Sequence, residues 1–288
     1  MPELPEVEIA ARNLRRWARG RRLLRVEADR AARRIFRPGT PRAFAAALEG
    51  GRVLEVARRA KNLLVTLERR GERTGLLSHL GMTGKWVRRE LGEEPPLHSR
   101  ARLHLRGGAV LHYDDPRLFG RLRVVPGARF DELRELAALG PDPLADGIDG
   151  SRLAALLSRT GRAVKVALLD QRILPGVGNI HASEALFLAR IDPRRPARSL
   201  SRREVERLGR AVLTSFRRTL REEDGPEVTY LEEAGAENPF SVYAREGETC
   251  PRCRSGVLRR IVQAQRSTYY CPRCQNRTRG VTAGPAVG

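Results

Sequence analysis

The sequence predicts an α+β chain: a helix at the front of an antiparallel β-rich region, then a helical region, then a cysteine-stapled hairpin. Three observations predict it. Apolar residues from Leu23 to Val125 recur in short runs broken by turns, those from Ser151 to Leu220 recur at helical spacing, and all four cysteines lie between Cys250 and Cys274. Runs of strands followed by runs of helices are the α+β pattern. At 288 residues the chain can hold two domains with cores of their own plus a small appendage, placed at 1–135, 150–224 and 244–280.

The first element is a helix from Pro5 to Gly20. Val7, Ala10, Leu14 and Trp17 share a face, Glu6 and Glu8 sit in the first turn, and Arg15, Arg16 and Arg19 in the last. Gly20 stops it. Strands are expected at Leu23–Ala28, Arg52–Arg59, Leu63–Leu67, Leu76–His79, Lys85–Arg88, Arg102–Arg106, Ala109–Tyr113 and Arg121–Val125, with a short helix at Pro41–Leu48. Gly107-Gly108 supplies a hairpin turn, and many short strands joined by turns make a sandwich or a barrel. Pro and Gly punctuation over 126–150, including Gly140-Pro141-Asp142-Pro143, marks a domain boundary. Helices follow at Ser151–Ser158, about Ala163–Arg172 and Ile180–Arg190. The last begins at Ser201, where Glu204 makes a capping box, and runs to Asp224-Gly225.

A net charge of +21, from 55 basic and 34 acidic residues, points to a polyanionic partner. Nucleic acid fits first, because neutralising phosphates supplies sequence-independent affinity. Only Lys61, Lys85 and Lys165 are lysines, and lysine can exchange a proton where arginine cannot. No run of 18 apolar residues and no signal-peptide pattern is present, so the chain is expected to be soluble, cytoplasmic and not membrane-bound.

Four stretches can carry chemistry. Cys250-Pro-Arg-Cys253 and Cys271-Pro-Arg-Cys274 can close four thiolates around one Zn²⁺, a structural site with no place for water. Between them Leu258–Val262 and Ser267–Tyr270 alternate as a hairpin from which Arg259, Arg260 and Arg266 project, a probe for a nucleic-acid groove. Leu174-Pro-Gly-Val-Gly-Asn179 opens a helix in a basic setting with Arg159, Arg162 and Lys165, an arrangement able to hold phosphate. Met82 and Phe119 are apolar residues in glycine-flanked loops, either ordinary core or wedges that enter a stacked duplex.

The fourth stretch is Met1-Pro2-Glu3-Leu4-Pro5-Glu6. Once Met1 is trimmed, Pro2 is a free secondary amine, and an α-amine is uncharged at neutral pH about 400 times more often than a lysine. Such an amine can displace a leaving group from a sugar carbon and hold it as an iminium ion, with Glu3 beside it to give or take a proton. Two acids here equally suit a helix start.

MPELPEVE, RRAKNLL, HLGMTGKW, DDPRLFG, LLDQRILPGVGNIHASEALF and QRSTYYCPRCQ occur in the order found in bacterial formamidopyrimidine-DNA glycosylases, and the chain resembles that family along nearly its whole length. The resemblance implies a monomeric repair enzyme on double-stranded DNA that removes 8-oxoguanine and formamidopyrimidines and then nicks the strand. It implies an N-terminal β-sandwich, a helix-two-turns-helix domain and a zinc finger, with one structural zinc and no diffusible cofactor. By position, Pro2 is similar to the family's nucleophile at C1′, Glu3 to the acid for ring opening, and Glu6 to a supporting carboxylate. Lys61 stands at the lysine of β-elimination and Arg266 at the arginine of δ-elimination. Lys165 and Asn179 match phosphate contacts, His98 and Arg159 further DNA contacts. Met82, Arg117 and Phe119 match the residues that fill the gap left by the extruded base, which must leave the helix before its sugar is reachable.

Two stretches depart from the family. Glu222–Tyr243 does not read like the usual loop over the extruded purine, and His181 stands where tyrosine is common. The competing readings are an endonuclease VIII type acting on oxidised pyrimidines and a noncatalytic binder of damaged DNA.

Overall fold

The computed structural model describes residues 2–223, 225–231, 233 and 235–276. The chain forms two compact units: one runs to Leu139 and takes up Thr219–Glu237, the other is Gly140–Arg218 with the chain from Asn238 onward.

The first unit begins with α1 (Leu4–Ala18). Glu3 is its N-cap, with its N–H donating to Glu6 Oε2 at 2.7 Å to close a capping box, and Gly20 ends it at φ +80°. The strands are β1 (Leu23–Ala28), β2 (Arg52–Arg59), β3 (Asn62–Arg69), β4 (Glu72–His79), β5 (Lys85–Glu90), β6 (Ser99–Leu105), β7 (Ala109–Asp114) and β8 (Arg121–Pro126). Helix α2 (Pro41–Leu48) follows β1, and the single turn α3 (Arg134–Ala137) follows β8. Two antiparallel sheets result, ordered β1-β6-β7-β5 and β2-β3-β4-β8.

Alternation drives their packing. In β3, Leu63, Val65 and Leu67 are buried while Asn62, Leu64 and Thr66 are half-buried. Val26, Trp86, Leu103 and Leu111 from one sheet meet Val53, Val56, Val65 and Leu76 from the other in a single core, so the chain takes the sandwich. Trp86 Nε1 donates to the buried Ser78 hydroxyl at 3.0 Å, satisfying both groups between the sheets.

Residues 219–237 belong to this unit although they follow the helical region. Val228 and Tyr230 are buried in its core. Asn13 of α1 donates to the carbonyls of Gly225 (2.9 Å) and Pro226 (3.1 Å), and ion pairs Arg89–Glu227 and Lys85–Glu233 hold the flanks.

The second unit contains α4 (Gly150–Ser158), α5 (Val164–Leu168), α6 (Asn179–Leu188) and most of α7 (Arg202–Glu222). The expected capping box is present, with Ser201 N–H donating to Glu204 Oε2 at 2.8 Å and Glu204 N–H to Ser201 Oγ at 3.4 Å. Helix α5 is shorter than the sequence predicts. Asp170 takes the N–H of Arg172 at 3.1 Å and its guanidinium at 2.8 Å, and such local bonding draws the backbone out of a helix. The unit ends in the hairpin β9 (Arg259–Gln263) and β10 (Arg266–Tyr270). Among the described residues no helix is long and apolar enough to cross a membrane.

Candidate active site, wedge loops and metal centre

Pro2 is buried, and the side chains behind it leave Glu3 1 % and Glu6 5 % exposed. Carboxylates at that depth need donors. Glu6 has one in the Glu3 N–H, so the bond that caps α1 also fixes the peptide that carries Pro2. Lys61 sits in the tight turn between β2 and β3, directly after Ala60 at φ +51°. A non-glycine residue there costs about 1 kcal/mol, and neighbouring contacts must hold it. Arg58 does so: its Nη1 donates to the Ala60 carbonyl at 3.2 Å and its Nε to Glu8 of α1 at 2.7 Å. The turn bearing Lys61 is thereby tied to the helix that contains Glu6 and follows Pro2 and the N-cap Glu3.

His79, opposite Asn62 in the β3–β4 ladder, belongs to this neighbourhood although sequence reasoning gave it no role. Burial, then the charges of Lys61 and Arg121, lower its pKa from 6.5 to about 4. Its Nδ1 accepts the Gly81 N–H at 3.0 Å, so the neutral ring carries its proton on Nε2. The available signal was a histidine at a strand end before a glycine turn. Burial, followed by Arg102, Arg89 and His104 and against the opposing charge of Glu27, likewise lowers His112 to about 4. Both titrate near 6.5 once unfolded, so between pH 6.5 and 4 the unfolded chain binds protons that the folded chain refuses. Stability is full above that window and falls as pH drops through it. Denaturation midpoints should decline between pH 6.5 and 4.5, and a flat profile would count against these environments.

Met82, Arg117 and Phe119 stand on two loops of the same unit. Asp115, fully buried, accepts from Arg117 N–H (3.3 Å) and the Thr83 hydroxyl (3.1 Å) through Oδ1, and from Gly120 N–H (2.8 Å) through Oδ2. A Cβ on Gly81, at φ +66°, would lie 2.4 Å from the Phe119 carbonyl carbon, so the two loops meet backbone to backbone. Met82 and Phe119 are thus brought onto adjoining loops. Phe119 is 40 % exposed, with the Arg34 and Arg117 guanidinium carbons 5.2 and 5.0 Å from its ring centre. His98 joins the same framework, its N–H donating to Asp114 at 3.0 Å and its carbonyl accepting from Asp115 N–H at 3.1 Å.

Beneath the loops, Tyr113 donates to the His79 carbonyl at 3.1 Å and Tyr230 to the Gly84 carbonyl at 2.6 Å. Burial, then Tyr113, Glu6, Glu233 and Asp115, push the Tyr230 pKa well up, so this neutral phenol feels both the Glu6 end and the Asp115 end of the site. The sequence marked the segment around Tyr230 as unusual and assigned it nothing. Gly120→Ala would place a Cβ 1.7 Å from the Tyr113 hydroxyl. With Tyr113 unable to retreat, a loss of about 3 kcal/mol is expected in denaturant unfolding, and a wild-type midpoint would contradict this packing.

In the second unit, Gln171 braces the glycine turn, accepting from Gly176 N–H and donating to the Leu169 and Val177 carbonyls at 2.9, 2.9 and 3.0 Å. Gly176 has φ +87°. Lys165 is fully buried and its ammonium donates to Asn179 Oδ1 at 2.5 Å, which leaves the Asn179 amide nitrogen as the donating end. Arg159 is exposed at the end of α4. Arg266 is exposed at the first position of β10, directly after Ala264 and Gln265 at φ +47° and +59°. Two consecutive positive φ values give the hairpin turn that suits strand twist, here without the usual glycine.

The four cysteine sulfurs lie within 4.8 Å of one another, with Cys250–Cys274 at 3.8 Å and Cys253–Cys271 at 3.9 Å. Ligands about 2.3 Å from a tetrahedral zinc are separated by about 3.8 Å, so the set fits one structural Zn²⁺. The Ser255 and Gly256 amides draw the Cys253 thiol down to about 6, while burial pushes Cys274 up to about 12. A dication among the sulfurs offsets that burial cost. The centre docks on α6: Cys250 and Cys271 pack with Phe187, Val242 and Leu258, and Gln275 links Cys271 N–H to the Ile191 carbonyl through two 2.9 Å bonds.

Family models match this arrangement: the formamidopyrimidine-DNA glycosylase N-terminal domain over residues 1–122, its H2TH domain over 139–229, and the zinc finger found in FPG and IleRS over 247–277. The formamidopyrimidine-DNA glycosylases of Thermus thermophilus and Phenylobacterium zucineum are 41 % and 39 % identical, each over 96 % of this chain and 98 % and 100 % of theirs. The crystal structure of the Thermus thermophilus MutM (Fpg) protein covers 95 % of this chain and 98 % of its own at TM-score 0.78 and 40 % identity. Lactococcus lactis Fpg, solved in complex with abasic-site DNA, covers 95 % and 99 % at TM-score 0.83 and 26 % identity. On this footing the chain belongs to the formamidopyrimidine-DNA glycosylase family, DNA-repair glycosylases with a zinc finger.

Proposed function

We propose that this protein excises oxidised purines, 8-oxoguanine and formamidopyrimidines, from duplex DNA and then cleaves the strand through a covalent intermediate on Pro2. The observation that carries the reading is the amino end itself: Pro2 is buried and held by the Glu3–Glu6 cap at the head of a helix that Arg58 ties to the turn bearing Lys61. Solved Lactococcus lactis relatives hold abasic-site DNA and N7-benzyl-Fapy-dG DNA, which supports a damaged duplex as substrate.

The steps follow from the groups. The Pro2 nitrogen bonds to C1′ as the glycosidic bond breaks, and the base leaves with the bonding pair and takes a proton. Glu3 protonates the ring oxygen as the sugar opens, leaving a C1′ iminium ion, and Glu6 keeps the Pro2–Glu3 peptide in place. The iminium ion acidifies C2′, and Lys61 takes that proton as the 3′ phosphate leaves. A second elimination, in which C4′ loses its proton to water, expels the 5′ phosphate, whose charge Arg266 steadies without giving up its own proton.

DNA is held by His98, Arg159, Lys165 and Asn179, with Lys165 also fixing the Asn179 amide. Met82 and Phe119 fill the space of the extruded base, while Arg117 offers donors to the acceptor edge of the orphaned cytosine. Oxidised pyrimidines form a second reading, favoured by the Lactococcus lactis complex with DNA containing one. Single-turnover excision decides between them: 8-oxoguanine opposite cytosine should be released at least about tenfold faster than thymine glycol. The reverse ranking would favour pyrimidines, and no excision of either would leave a mere binder.

A further inference from the structure

A groove of about 950 Å³ opens between the end of β1 and the start of α2, walled by Arg30, Arg33, Arg37 and Arg42. All four are exposed, and among the described residues none makes an ion pair or a side-chain hydrogen bond. Their neighbours differ. Arg25 and Arg102 pair with Glu27 at 3.2 and 3.6 Å, and Arg100 pairs with Asp29 at 3.0 Å. Glu27, the acid at the groove's edge, also binds His104 at 3.0 Å, so it is already engaged. Four like charges around one depression repel one another, and an anionic ligand removes that repulsion. Guanidinium forks match phosphate oxygens, and four of them along an open groove match several phosphates in a row better than one small anion.

The position identifies the polymer. Arg33 and Arg34 begin the 3-10 turn Arg33–Phe36, and the Arg34 guanidinium stacks 5.2 Å from the Phe119 ring. The groove therefore starts one residue from the wedge loop. We propose that Arg30, Arg33, Arg37 and Arg42 form a further DNA site that grips the sugar-phosphate backbone of the duplex arm running outward from Phe119. This rests on the proposed DNA substrate and extends its footprint to residues with no part in the chemistry.

The test compares full-length wild type with R33A/R37A/R42A on two abasic-site duplexes, one ending close to the lesion and one with long flanks. Each phosphate contact steepens the plot of log affinity against log salt by about 0.9. The wild-type slope should be steeper on the long duplex by about two or more, and the variant should show equal slopes on both. R33K/R37K/R42K should restore the difference, which a merely damaged fold would not. Borohydride capture by the alanine variant at saturating DNA should match wild type. A variant that keeps the full slope difference, or a wild type that shows none, overturns the groove alone. A wild type that captures neither duplex overturns the proposed function and the groove with it.

Discussion

A form of this protein that retains Met1 ahead of Pro2 is expected to bind abasic DNA yet lose borohydride capture almost completely. In that form the Pro2 nitrogen is a tertiary amide, its lone pair is delocalised into the carbonyl, and it can neither attack C1′ nor become an iminium ion. Nothing else need change. Glu3 and Glu6 keep their mutual cap, and the Ala60–Lys61 turn keeps its tie to α1 through Arg58. The amines left are the Met1 α-amine, set one residue ahead of the position that the Glu3–Glu6 cap fixes, and Lys61, neutral about 400 times less often than an α-amine, so residual capture should fall far below that of the trimmed form. The rate of adduct formation on an abasic duplex at neutral pH measures this directly. A Met1-retaining form that captures DNA as fast as the trimmed form would remove Pro2 from the mechanism.

Cys253→Ala should release zinc and weaken DNA binding while leaving the first unit folded. Apart from the zinc, the hairpin is held mainly through the buried Thr268 and Tyr270 of β10. Of the residues in β9 none is buried, and Cys250 and Cys271 are themselves part of the small core shared with Phe187, Val242 and Leu258. Structural zinc supplies about 10–16 kcal/mol to comparable fingers, far more than a two-stranded hairpin can replace. Loss of one thiolate opens the site, frees the Gln275 link to Ile191, and unsettles the turn that presents Arg266. Metal analysis should find well under one zinc per chain, and duplex affinity should drop with it. A variant that keeps full occupancy would contradict a closed four-cysteine centre.

Much of the architecture was legible because it is written in local patterns. The helix at the amino end, the β1 and β2 bounds, α2, the Ser201 capping box and the cysteine pairs all rest on spacing within a few residues. What stayed hidden depends on contacts remote in sequence. No periodicity announces that Asp115 will be buried as the anchor of the Arg117–Phe119 loop, or that Tyr230 will donate to Gly84 from across 146 positions. The sequence gives Lys165 as a basic residue before the glycine turn, but not that it is buried with its ammonium on Asn179 Oδ1. Helix α5 was overextended because the apolar pattern continues past Leu168, whereas the Asp170 carboxylate bonds its own neighbourhood and turns the chain. The arginine groove escaped for a different reason: in so basic a sequence, only the acids that pair with other arginines reveal which ones remain unneutralised.

In the proposed reaction the bond to DNA forms at the imino nitrogen of the processed amino terminus. It is tested most directly by reducing the complex with an abasic duplex, digesting it, and locating the sugar remnant by mass spectrometry. The expected product is a modified peptide that begins at Pro2, lacks Met1, and carries the remnant on the proline nitrogen. A remnant on Lys61, or on a peptide that still begins with Met1, would contradict it.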